Sequence, residues 1–264
     1  MTVREALRAA EERLARAGVE TPRVDAELLL AHALGVTRTA LYAAPENEAP
    51  VGFQPLLARR EAREPLAYVL GEWGFRRLTL TTDRRALVPR PETEIVVERC
   101  LALLAGLERP RVLDVGVGAG AIALAIADEH QGARVTGIDV SEESLALARE
   151  NAERTGLPLE LRQGGIEVAA EGWDLIVSNP PYVAPEELEA LEPEIREWEP
   201  RLALVGEGFQ EELARVATTD RLVLEVAPRQ AAGVARALEE LGYDAVTIAR
   251  DLAGRERVVE GRRA

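Results

Sequence analysis

The 264-residue sequence contains no lysine, one cysteine, one methionine and two histidines. Without lysine, arginine carries all 32 positive charges, and with the wealth of alanine and leucine this reads as a GC-rich coding bias. A single thiol, Cys100, excludes an internal disulfide and suits a reducing cytoplasm. His32 and His130 with one cysteine offer no metal-site spacing, so no metal is expected and both rings read as structural. No apolar run approaches the roughly 18 residues of a membrane span. The polar, acidic start Met1-Thr2-Val3-Arg4-Glu5 is unlike a secretory signal. The expectation is a cytoplasmic, monomeric protein with no membrane contact. Positive charge is also scarce, since 46 acids against 32 bases leave −14. That balance argues against a duplex-DNA or bulk-RNA binder, whose affinity comes from neutralising phosphates.

What is present divides into three textures. Residues 1–70 read as short helices: a Thr2-x-x-Glu5 capping box, a Leu7/Ala10/Leu14 stripe ended by Gly18, and a helix from Thr21-Pro22 to Gly35. Two more are expected over residues 37–43 and 54–63. Residues 71–84 alternate as a hairpin connector, with Leu78-Thr79-Leu80-Thr81 as one arm; Trp73 reads as packing beneath it. From 85 to 264, apolar runs at 111–115, 134–138, 173–178 and 222–226 alternate with amphipathic stretches. This predicts an α/β, doubly wound, mostly parallel sheet, closed by a strand pair at 243–249 and 257–260. The run 186–199 holds seven acids; it is either a solvated helical face or a flap for a basic protein partner.

The predicted strand 111–115 carries Asp114 and runs into Gly116-Val117-Gly118-Ala119-Gly120, where glycines let the backbone turn tightly and approach a ligand. Asp139 ends the next strand, where an acid can accept both ribose hydroxyls of a nucleotide. The spacing is not the Gly-x-Gly-x-x-Gly that seats a pyrophosphate. An acid before the loop repels phosphate but suits the cationic methionyl end of S-adenosylmethionine. That donor is favoured over a nicotinamide dinucleotide, which would make the chain an oxidoreductase or a non-catalytic nucleotide-binding module.

After the run 173–178 come Asn179-Pro180-Pro181-Tyr182. Asn179 Oδ1 and the Pro180 carbonyl can accept both hydrogens of a planar nitrogen, aiming its lone pair at a methyl donor; proline suits the turn because it fixes φ and has no N–H. Tyr182 can pack its ring on the flat acceptor. Catalysis is then mainly orientation and dipole stabilisation. The bland alternative is an Asn-Pro turn with Tyr182 as a surface anchor.

Together these residues resemble class I S-adenosylmethionine-dependent methyltransferases that modify a glutamine amide, above all the HemK/PrmC family. The match takes in 65–71, Phe75, Pro89-Arg90-Pro91-Glu92-Thr93-Glu94, the 114–120 loop, Asp139, 179–182, 199–204 and 254–257. The resemblance implies a small helical substrate domain before a Rossmann-like catalytic domain with a seven-stranded sheet. It implies S-adenosyl-L-methionine, leaving as S-adenosyl-L-homocysteine, held by Gly116, Val117, Gly118, Ala119, Gly120, Asp139, Ile166 and Asn179, with Arg90 and Pro91 near the cofactor or its entry. Asn179, Pro180, Pro181 and Tyr182 would hold the substrate, with Asn179, Pro180 and Tyr182 catalytic. The implied substrate is the glutamine of the Gly-Gly-Gln segment in peptide chain release factors. A ribosomal-protein glutamine or a nucleic-acid base remains an alternative. One departure stands out: Gly165-Ile166 replaces the acid and large residue that the family places by the adenine.

Overall fold

The computed structural model describes residues 1–263 and separates into two compact units. The first comprises Met1–Glu72 together with Glu192–Trp198. Its helices are α1 (Val3–Arg16), α2 (Pro22–Leu34), α3 (Phe53–Glu61), α4 (Leu66–Leu70) and, from the later segment, α8 (Pro193–Arg196). The Thr2/Glu5 capping box is formed, satisfying otherwise orphaned N–H groups at the start of α1. Thr21 does not cap the α2 backbone; its hydroxyl instead donates to Asp25 Oδ1 at 2.8 Å. The stretch 37–43 forms only a 3-10 turn, Arg38–Tyr42. Val3, Ala6, Ala10 and Leu14 share one face of α1 and pack with Leu29, Leu30, Phe53 and Leu57. Beneath them, buried Arg60 pairs with Asp25 at 2.7 Å and with Glu194 at 2.8 Å, and Arg63 pairs with Glu192 at 2.9 Å.

The second unit comprises Trp73–Leu191 and the described residues from Glu199 onward. A two-stranded hairpin, β1 (Glu72–Phe75) and β2 (Leu78–Thr81), precedes α5 (Glu94–Leu104). Then follow β3 (Arg111–Val115), α6 (Ala121–Glu129), β4 (Arg134–Asp139), α7 (Glu142–Thr155), β5 (Glu160–Gln163) and β6 (Leu175–Ser178). The chain continues with α9 (Arg201–Leu204), α10 (Phe209–Val216), β7 (Arg221–Glu225), α11 (Ala231–Glu240), β8 (Asp244–Arg250) and β9 (Glu256–Arg262). The sheet order is β5-β4-β3-β6-β7-β9-β8, parallel except where β9 runs antiparallel to both β7 and β8. This is the doubly wound, mostly parallel sheet anticipated from the alternating pattern, in the seven-stranded class I methyltransferase form that the resemblance implied. Leu113, Leu175, Ile176 and Val177 are fully buried, as parallel strands covered on both faces require. Helices α5, α6 and α7 pack in one core cluster and α10 and α11 in the other.

Strand β5 is absent from the sequence expectation. It lies at the sheet edge with half its residues exposed, and Glu160, Arg162 and Gln163 give it no apolar run. Among the described residues, no helix is long and apolar enough to cross a membrane.

Candidate active site

The order reverses at β3, whose neighbours β4 and β6 are reached by oppositely directed crossovers; ligand crevices form at this point, outside the carboxyl ends of the strands. A cavity of about 570 Å³ opens there. Its walls are 84–90, 114–119, 139–141, 164–166, 179–181 and 200–203, with Thr93, Glu143 and Gly206 among the remainder.

One wall is the glycine loop. Gly116, Gly118 and Gly120 have φ of 75°, 53° and 86°, a region that strains any residue with a Cβ. The loop is stapled from outside: the Gly116 and Val117 N–H groups both donate to Ile138 O at 2.9 Å. The Gly118 N–H donates to Asp139 Oδ2 at 3.0 Å, and Asn151 Nδ2 donates to Ala119 O at 2.9 Å. Asp139 Oδ1 accepts the Ser141 N–H at 2.9 Å, so both carboxylate oxygens are aimed by backbone. Buried Asp114 accepts one bond, from the Ala123 N–H at 3.1 Å. Burial pushes its carboxyl up to about 7; the Ala123 bond opposes this and the Asp139 charge adds to it.

The facing wall follows β6. The Ser178 hydroxyl donates to Val115 O at 2.7 Å, fastening the end of β6 to that of β3. Asn179 Nδ2 donates to Thr93 Oγ1 at 3.2 Å, which leaves Asn179 Oδ1 as the amide's acceptor end. The returning chain lies against the loop, with the Val183 N–H on Leu204 O at 3.0 Å and the Gly206 N–H on Val183 O at 3.1 Å. A Cβ on Gly206 would stand 3.0 Å from the Pro181 carbonyl oxygen, so glycine permits this close backing. Arg90 Nη2 donates to both oxygens of buried Glu199 at 2.7 Å, tying the Pro-rich stretch before α5 to the chain leading into α9. Burial raises the Glu199 pKa, and Arg90 works against the rise.

Of the residues singled out in the sequence, Arg90, Asp114, Gly116, Val117, Gly118, Ala119, Asp139, Ile166, Asn179, Pro180 and Pro181 line the cavity together. Gly120, Pro91 and Tyr182 are not among its lining. Gly120 caps α6, where a Cβ would meet Leu124 at 3.2 Å; Pro91 begins a 3-10 turn ahead of α5. Tyr182 lies near Glu225 instead; burial and that carboxylate push its phenol up to about 12. Among the described residues, the only side-chain hydrogen bond at Gly165-Ile166 is local, the Gly165 N–H donating to Glu167 Oε1 at 2.8 Å. Thr93 and Glu225 had drawn no role from the sequence. Glu225 carried a usable signal, an acid ending an apolar strand, the same signal that picked out Asp139.

The acidic run keeps Glu186, Glu189, Glu192 and Glu197 exposed, as a solvated face requires, while several of its acids are paired with arginines. Glu187 pairs with Arg229 at 2.8 Å, Glu194 with Arg60 and Arg63, Glu197 with Arg196 at 2.8 Å and Glu199 with Arg90. Arginines elsewhere in the sequence have absorbed charges that look free when read in order.

Comparison with known proteins adds three findings. Residues 5–71 match the family described as PrmC N-terminal domain, and residues 93–206 match Methyltransferase small domain. A release factor glutamine methyltransferase of Deinococcus radiodurans is 42% identical over 100% of this chain and 99% of its own length. One from Cereibacter sphaeroides is 41% identical over 99% of each. In fold alone, the chain is similar to a T. thermophilus 16S rRNA N2 G1207 methyltransferase solved with AdoMet and guanosine. There the TM-score is 0.54 and identity 18%, over 73% of this chain and 50% of that one.

Proposed function

The chain belongs to the release factor glutamine methyltransferase family, and on that premise we propose how its residues divide the work. The enzyme methylates the side-chain amide nitrogen of the glutamine in the Gly-Gly-Gln segment of peptide chain release factors, with S-adenosylmethionine as donor. The cavity fits such a donor: a glycine loop without side chains, an acid whose two oxygens are already aimed, and a second, buried acid with one partner. Gly116–Ala119 would approach the cofactor with backbone, Asp139 would accept its ribose hydroxyls, Asp114 would face its cationic end, and Ile166 would cover the adenine. Bound there, the cofactor supplies an electrophilic methyl on a sulfonium.

The single observation that carries the acceptor half is the orientation of Asn179. With Nδ2 committed to Thr93, Oδ1 is left to accept. A glutamine amide is a poor nucleophile because its lone pair is delocalised. Asn179 Oδ1 and the Pro180 carbonyl accept its two hydrogens, draw electron density back to nitrogen and point it along one line. With the donor held there, an N–C bond would form as its C–S bond breaks, S-adenosylhomocysteine would leave, and the cationic amide would give its proton to water without a strong base. The test is transfer of labelled methyl to purified release factor, beside a copy whose Gly-Gly-Gln glutamine is alanine. Label on the intact protein alone supports the reading; label on neither, or equally on both, overturns it.

Asp114 gives a pH prediction. Its folded carboxyl is raised, so the free enzyme holds a proton there below about 7. A cationic ligand end favours the ionised form, so binding must expel that proton. Affinity for S-adenosylhomocysteine should therefore strengthen as pH rises towards 7, by up to about tenfold per unit, and then level. Calorimetry at pH 5.5 to 8.5 in buffers of different ionisation enthalpy reads both effects. A flat affinity with no proton release would remove Asp114 from the site.

A further inference from the structure

Behind the Asn179 wall lies a carboxylate that the mechanism above does not use. Glu225 ends β7, is fully buried, and does not line the cavity. Buried Thr93 and the Tyr182 phenol are the neighbouring hydroxyls that favour its charged form. Neither closes to a full hydrogen bond on either oxygen. The charges around it are Arg257, itself buried and held by Asp251 at 3.5 Å, and Glu92.

The direction of one hydrogen decides what Asn179 presents to a substrate. A threonine hydroxyl has one hydrogen to give and lone pairs to receive. If that hydrogen is turned towards Glu225, Oγ1 can only accept from Asn179, and the amide must offer Nδ2, as observed at 3.2 Å. If Glu225 is neutral and gives its own proton to Thr93, the threonine hydrogen is released towards Asn179. The amide is then free to rotate by half a turn, placing Nδ2, a donor, where the substrate needs an acceptor.

We infer that Glu225 is a positioning residue for methyl transfer: through the Thr93 hydroxyl it selects the amide orientation of Asn179 that accepts substrate hydrogens. The inference rests on the reading of Asn179 as acceptor, and it deepens it. Burial pushes the Glu225 carboxyl up to about 7, with Thr93, Arg257 and Tyr182 resisting and Glu92 adding. The orienting state is thus populated above neutrality and lost below it.

The test reads the amide directly, so it does not depend on the release factor. The Asn179 side-chain NH2 resonances, assigned by their absence in Asn179→Ala, should titrate with a midpoint near 7 in the wild type. Glu225→Gln and Thr93→Val should abolish that titration, whereas Thr93→Ser, which keeps the hydroxyl, should retain it. At saturating cofactor, kcat on release factor should rise with pH through the same midpoint. Glu225→Gln should flatten that limb and lower kcat at pH 8 by about tenfold or more, the scale of a small misplacement of reacting groups. S-adenosylhomocysteine affinity should stay within about twofold. The other buried acid pushed up to about 7, Asp114, would act on that affinity and so is told apart. Resonances that do not move with pH, or that titrate unchanged in Glu225→Gln, overturn the inference. A wild type with the titration but no methyl transfer would leave Glu225 in its role and refute the release-factor reading instead.

Discussion

Asn179→Ala is expected to lose about a hundredfold or more in kcat on release factor, the scale seen when one oriented polar group is removed from a transition state. S-adenosylhomocysteine should still bind within a few fold. The two halves of this result have separate physical causes. The cavity walls are fastened to one another without Asn179: the glycine loop hangs on Ile138, Asp139 and Asn151, and β6 is pinned to β3 by Ser178. Removing the amide leaves those fasteners in place. What disappears is the proposed acceptor, which would pull electron density onto the substrate nitrogen as charge builds there, an interaction stronger in the transition state than in the ground state. Thr93 also loses the donor it receives at 3.2 Å, but its hydroxyl can turn to other partners. Asn179→Asp is the sharper control, because it restores acceptor oxygens yet cannot donate to Thr93. It should recover only part of the loss, since the carboxylate places a charge beside Thr93 and towards Glu225. Steady-state kinetics with calorimetry on the same preparations decides the matter. Near-normal kcat in Asn179→Ala would end the proposed role.

Much of this was legible in order along the chain. The alternation of apolar runs and amphipathic stretches is a local signal, and it gave the sheet its central strands because parallel strands must be apolar on both faces. The glycine loop and the acids ending two strands were equally local. What could not be read was pairing across sequence. Thr93 touches Asn179 across 86 residues, and Glu225 comes from the last parallel strand. Nothing in either neighbourhood says which amide it will orient. The pairing of the acidic run was hidden for the same reason, since Arg60, Arg63, Arg90 and Arg229 reach it only in the fold. Edge strand β5 escaped because it is only partly buried and its polar residues remove the apolar run that marks its buried neighbours.

Asp139→Ala should have the opposite signature: affinity for S-adenosylhomocysteine falls by about a hundredfold or more, while kcat at saturating cofactor stays within several fold. Asp139 is proposed to accept two ribose hydroxyls, and a hydrogen bond to a charged group contributes about 1.5–3 kcal/mol. Two of them together reach about 3 kcal/mol at the low end, roughly a hundredfold at about 1.4 kcal/mol per tenfold. The substitution also strips the acceptor from the Gly118 and Ser141 N–H groups, at 3.0 and 2.9 Å. Gly118 sits at φ 53°, so its loop loses a staple where the backbone least tolerates drift. Asp139→Asn separates the two contributions, because its oxygen can keep one N–H while its NH2 opposes the other. It should bind more weakly than wild type, and its loop should be the less ordered in proportion. Amide exchange at Gly118 measures that loosening independently of affinity. If Asp139→Ala binds S-adenosylhomocysteine within threefold of wild type, the acid serves the loop alone and the ribose must be held elsewhere. Taken with Asn179→Ala, the pair forms a crossed test. One variant should lose binding and keep turnover, the other should keep binding and lose turnover, and any variant that loses both equally points to the shared scaffold between them.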